Sequence, residues 1–231
     1  MSTFLCESPI NIHPFRNGTE EAFAFMVPDF KIGDVATLCG DRAHLLAYVQ
    51  TVQHIMNQGS PIIFIDGGNS FSPYAIAEIV RKHGFDPKEV LKMVYVSRAF
   101  TAHQLSSLVM EKLEPFAEEI EANFVLVSDI ASLFFHRDLP DSEARGLFLS
   151  ICMKLSRLAT KKQFMVLITY RPKNTRRRLY FEAALFGRSD IIVEASARGM
   201  ALRFALKRHP RIGSFYATVL PRHSLMDYVG V

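Results

Sequence analysis

The chain has 231 residues, 49% hydrophobic and 22% charged, with a formal net charge of +4. That length suits one α/β domain with a substantial core, and the composition is that of a folded protein and not of a disordered one. No apolar run reaches the length of a membrane span, and Met1 to Pro14 lacks the basic start and apolar stretch of a secretory signal.

Three scattered cysteines (Cys6, Cys39, Cys152) and eight histidines show no metal-ligand spacing. An intracellular protein without a metal site is therefore expected, cytoplasmic or, in a eukaryote, nuclear. The charge is unevenly placed. Residues 1–120 carry 9 Lys+Arg against 14 Asp+Glu, whereas residues 121–231 carry 18 against 9. A basic half suits a polyanionic partner, and a charge that serves only solubility is the alternative.

In chain order, residues 1–30 read as irregular, interrupted by Pro9, Pro14, Asn17-Gly18 and Pro28. Residues 31–231 contain no repeat or linker and read as one domain. Strand-length apolar runs occur at Val35–Cys39, Pro61–Asp66, Val94–Ala99, Phe124–Ser128 and Phe164–Thr169. Their near-continuous apolarity predicts strands covered on both faces. Helices are expected between them. Ser72-Pro73 and Asp86-Pro87 each place a cap before a proline, with Glu89 completing a capping box. His103 to Ala122 shows helical spacing with Pro115 as a kink or break, and Asp141/Ser142 opens a longer helix. Asp190–Glu194, Met200–Lys207 and Ser214–Leu220 read as strands joined by turns too short for parallel crossovers. The fold class is therefore α/β: a doubly wound, mainly parallel sheet flanked by helices, with antiparallel C-terminal strands.

The stretch Ile62-Ile63-Phe64-Ile65-Asp66, Phe71-Ser72-Pro73, Gly84-Phe85-Asp86-Pro87-Lys88-Glu89-Val90-Leu91-Lys92, Val94-Tyr95-Val96-Ser97-Arg98-Ala99-Phe100 and His103-Gln104 resembles the core of RecA/RadA-type recombinases. The likeness is to the archaeal and eukaryotic branch. Ile32-Gly33-Asp34-Val35 through Gly40 is similar to that family's first strand, Phe124–Phe134 to its Walker B strand, and Phe164–Pro172 to the strand before a DNA-binding loop. The family's N-terminal DNA-binding domain has no counterpart, and its Phe-x-x-Ala docking segment has only Phe23-Ala24-Phe25 to stand for it.

The resemblance implies a RecA-like fold, and it also locates what the chain has lost. A phosphate loop of the form GxxxxGK(S/T) supplies backbone N–H groups, a lysine and a magnesium-binding hydroxyl. Here Gly40-Asp41-Arg42-Ala43-His44 follows the first strand, without the Gly-Lys-Ser/Thr. After Asp66, Gly68 matches the position of the carboxylate that activates water, and Ser128 takes the place of the Walker B aspartate, with Asp129 one residue late. A shift of one residue along a strand predicts a side chain on the opposite face. Gly40, Asp41, Arg42, His44, Asp66, Gly68, Ser128 and Asp129 thus read as a degenerate nucleotide site. No catalytic residue, no metal and no cofactor are expected.

Where the family's loop meets DNA, the chain reads Tyr170-Arg171-Pro172-Lys173-Asn174-Thr175-Arg176-Arg177-Arg178. Tyr170 and Tyr180 offer rings for stacking, and Arg171, Lys173, Arg176, Arg177 and Arg178 offer charge to phosphates. Arg198, Arg203, Lys207, Arg208, Arg211 and Arg222 are secondary candidates. The expected function is that of a non-catalytic recombinase paralogue assisting homologous recombination and DNA repair. Its partners would be DNA, single-stranded in preference, and a RecA/RadA-type recombinase or another paralogue, in homo- or hetero-oligomers and without a membrane. The alternatives are a nucleotide-binding ATPase with an atypical phosphate site, the one case in which ATP and Mg would be cofactors, and a protein-only adaptor.

Overall fold

The computed structural model describes residues 29–136, 138–198 and 201–219. Phe23-Ala24-Phe25, Cys6 and Arg222 lie outside them. Eight strands form one sheet: β1 (Val35–Cys39), β2 (Ile62–Asp66), β3 (Val94–Arg98), β4 (Phe124–Ser128), β5 (Met165–Tyr170), β6 (Ile191–Arg198), β7 (Ala201–Arg208) and β8 (Phe215–Val219). Their spatial order is β3-β2-β4-β5-β1-β6-β7-β8. The first six in that order are parallel, and β7 and β8 are antiparallel additions.

Two apolar layers sandwich the parallel part. On one face lie α1 (Ala43–Gln58), α2 (Pro73–Lys82) and α3 (Pro87–Lys92), packed through Leu46, Val49, Ile76, Val80 and Val90. On the other lie α4 (Ala102–Ser107), α5 (Leu113–Glu119), α6 (Asp141–Lys162) and α7 (Arg178–Phe186), packed through Leu105, Leu113, Phe148 and Phe181. β1, β2, β4 and β5 are buried almost throughout, which is why their sequences are apolar without alternation.

The predicted caps form as hydrogen bonds: Ser72 accepts from Ala75 N–H at 3.3 Å and Asp86 from Lys88 N–H at 2.9 Å. The capping box expected of Glu89 does not close, because its carboxylate holds Lys92 at 2.7 Å. The break expected at Pro115 is a π-helical turn, Leu108–Lys112, in which Leu113 N–H donates to the Leu108 carbonyl. It widens the helix just before the proline that cannot donate.

Three expectations need correction. β3 is an edge strand with Tyr95 and Val96 about two-fifths exposed (39% and 40%), because among the described residues no strand pairs beyond it. β6 runs on to Arg198, since antiparallel pairing with β7 continues past the end of β1. α7 begins at Arg178, so the basic run is partly helix.

Candidate functional site

Four central strands end side by side, at Cys39, Asp66, Ser128 and Tyr170. This is the edge at which parallel α/β sheets place their sites. Gly40 leaves β1 with φ +111° and donates to the Tyr170 carbonyl at 3.1 Å. A Cβ here would stand 2.1 Å from the Ala195 carbonyl oxygen of β6, so only glycine fits. The chain then reaches α1 in two residues. Asp41 is exposed, and its carboxylate lies 3.9 Å from the Arg42 guanidinium, whose buried Nε has no hydrogen-bond partner.

Asp66 is fully buried and organises the turn after β2. Its carboxylate accepts from Ser70 N–H at 2.9 Å, Phe71 N–H at 3.1 Å and Arg98 Nε at 3.2 Å. Tyr48 of α1 closes the same turn: its hydroxyl donates to the Ser70 carbonyl and accepts from Ser72 N–H. Ser70 Oγ lies 2.5 Å from Ser128 Oγ, and Thr169 Oγ1 accepts from Asp129 N–H at 2.8 Å. Asp66, Ser70, Ser128 and Thr169 are thus engaged with one another. Tyr48, Ser70 and Arg98 escaped the sequence reading. Cross-strand register alone joins Arg98 to Asp66, and nothing in the sequence marks a cap for α1.

Asp129 corrects the face argument. The strand ends at Ser128, and Asp129 takes a left-handed conformation, φ +48°, so alternation no longer governs it. Its side chain turns into the site, where Oδ2 accepts from Arg171 at 2.9 Å and Oδ1 is buried without a partner. Gly68 packs directly on it: a Cβ at Gly68 would sit 2.5 Å from Asp129 Cβ. His44 completes the cluster. Burial, then the charges of Arg171 and Arg42, hold its imidazole below its ordinary range, so it is neutral near pH 7. The space among Gly40, His44, Ser70, Ser128, Asp129 and Arg171 is about 10 Å³, near the lower limit for one water.

The basic loop is divided in its roles. Tyr170 is 1% exposed, its ring packed edge-on against Phe186 and its hydroxyl 3.4 Å from Glu182. It is therefore no stacking platform: β5 ends one residue later than expected and takes Tyr170 into the core. Arg177 is likewise internal. Its guanidinium donates to the carbonyls of Phe134, His136 and Leu139 at 2.7, 3.1 and 2.6 Å and to Asp141 at 2.6 Å. Arg178 pairs with Glu182 at 2.8 Å, one turn along α7. Lys173 lies over the Phe135 ring, 5.4 Å from its centroid. Arg176 is exposed and, among the described residues, makes no ion pair.

Among the secondary candidates, Arg208 donates to the Phe186 and Ser189 carbonyls, and Arg211 to Asp29 and Asp34; both hold the fold together. Arg203 and Lys207 are exposed, and Arg198 is described only as backbone of β6. Among the described residues, no cluster of His, Cys, Asp and Glu has the form of a metal site. No described helix is long and apolar enough to cross a membrane. A protein-family model described as Rad51 matches residues 29–177, from the approach to β1 through the basic loop.

Proposed function

The chain belongs to the Rad51 family of RecA-like recombinase cores, and from that footing we propose that it serves recombination without hydrolysing ATP. Membership carries a recombinase-family role in homologous recombination and repair. The finer reading is of a non-catalytic paralogue that touches DNA with its basic loop and helps a catalytic recombinase of the same family.

The observation that carries this reading is the closed end of the parallel sheet. A magnesium triphosphate needs a backbone cradle, a compensating cation and room. Here the Gly40 turn is pressed against β6, the carboxylate of Asp129 already holds Arg171, and about 10 Å³ remains. The residues do not fit the group. In this reading Asp129 does for Arg171 what a bound phosphate would otherwise do: it holds the first residue of the DNA-facing loop, whether or not nucleotide is present.

Contact with a protein partner draws support from β3. Among the described residues no strand pairs with its outer side, and its exposed Tyr95 and Val96, with Phe100 two residues past its end at 68% exposure, offer main-chain pairing and apolar contact to another chain.

Titration calorimetry with Mg-ATP tests the proposal. The expected result is no saturable heat for the wild type, whereas Asp129→Ala, which frees Arg171 and opens the cluster, gains weak phosphate binding. Saturable binding of ATP by the wild type, lost in Asp129→Ala, would support the ATPase alternative instead.

A further inference from the structure

We infer that a cavity at the far edge of the sheet, where the central strands begin, is a binding site for a small, uncharged heterocycle bearing an amino group: a free nucleobase or its nucleoside. The cavity is separate from the closed strand ends and from the basic loop.

Its position follows from the topology. Ile32 stands before β1, Asn123 immediately before β4, and Met165 opens β5, so these residues meet where three parallel strands start. β1 and β4 have five residues each, and at about 3.3 Å per residue they carry their far ends roughly 13 Å away. With Phe30 and the second half of α1, the strand starts enclose about 560 Å³, a volume in the range of small-molecule sites. The helix supplies the polar wall. Gln50, Gln53, His54, Asn57 and Gln58 follow the spacing i, i+3, i+4, i+7, i+8, which on a packed helix ordinarily carries apolar residues. On α1 this stripe lines the cavity, while Leu46, Val49, Val52 and Ile55 pack into the core. Gln50 is the telling residue. It is 8% exposed, and its Oε1 is buried without a hydrogen-bond partner. An acceptor in that state costs the folded chain stability until a donor reaches it.

The charged groups at this wall are already committed. Asp29 holds Lys31 at 2.7 Å and Arg211 at 2.5 Å, and Arg211 also holds Asp34 at 2.6 Å. Burial pushes the His54 imidazole down to about 4, so at neutral pH it too is uncharged. A phosphate or carboxylate would find, among the described residues lining the cavity, no unpaired cation. Phe30, Ile32 and Met165 make the rest of the wall apolar. A ligand that fits therefore has a polar edge with an N–H for Gln50 and an apolar face for these three residues. A nucleobase with an exocyclic amino group has both. A sugar alone, with hydroxyls on every side, lacks the face.

The test is titration calorimetry of the full chain with adenosine, cytidine and guanosine. At least one should bind saturably, with Kd at or below about 1 mM. Its dimethylamino analogue, which keeps the ring and loses the amino N–H, should not bind. Gln50→Leu removes the unpartnered oxygen, so it should raise Tm by about 2 °C or more and weaken the nucleoside roughly five- to hundredfold. Gln53→Ala, a half-buried change on the same stripe, should also weaken binding and serves should Gln50→Leu fail to fold. Asp129→Ala, at the other edge, should leave the affinity unchanged. Absence of saturable binding by all three nucleosides overturns the site, as does binding that survives both Gln50→Leu and Gln53→Ala. AMP binding more tightly than adenosine, through Lys31, overturns the uncharged ligand. Equal binding of N-acetylglycinamide overturns the heterocycle in favour of a peptide amide.

Discussion

Arg176 and Arg177 are neighbours in sequence with opposite duties. Arg177 satisfies three backbone carbonyls and pairs with Asp141, with its side chain 12% exposed, whereas Arg176 points to solvent. Arg177→Ala would strand those carbonyls and is expected to cost about 2–4 kcal/mol. For a domain of this size that lowers Tm by several degrees. Arg176→Ala should stay within about 0.5 kcal/mol of the wild type. Circular dichroism melting separates the two, and equal melting temperatures would contradict the assignment. A run of like residues cannot reveal this division, because it depends on which carbonyls the turn Leu139-Pro140 brings within reach. Asp129 teaches the same lesson. Gly68, Ser128 and Asp129 were legible as residues, but the left-handed backbone of Asp129 was not, and that conformation points its carboxylate at Arg171.

At the scale of elements, α1 shows how a helix without start signals is secured by packing. Arg42 makes no cap hydrogen bond, yet the helix is buried along most of its length. His54, on its last turns, packs against the Phe124 ring at 4.6 Å and bonds Ser60 at 2.9 Å. Burial pushes its imidazole down to about 4 from an ordinary value near 6.5. The folded protein therefore refuses a proton that the unfolded chain accepts. His54's contribution is complete above about pH 6.5 and is lost as pH falls towards 4, by up to about 3 kcal/mol. Urea midpoints at pH 7.5 and 5 measure this, and His54→Leu should remove that part of the dependence; an unchanged slope in the variant would assign it elsewhere. Strands and capped helices were readable because periodicity and caps are local. The boundary of α7 inside a basic run was not, since Arg178 enters the helix through its pair with Glu182 and the docking of Phe181.

On the scale of the whole molecule, the fold keeps the family's parallel sheet and places two kinds of surface on it. The edge at β3 is apolar, while the loop after β5 and the antiparallel strand β7 are basic. This arrangement gives the charge asymmetry of the two chain halves a spatial meaning: the later half contributes the basic loop and β7. Between them, the ends of the central strands are occupied by the chain's own side chains, Asp66, Ser70, Ser128, Asp129 and Arg171. Turnover is therefore the decisive property. Phosphate release from Mg-ATP should remain at the buffer rate, with and without single-stranded DNA. DNA-stimulated release by the wild type that disappears in Asp129→Ala would contradict it.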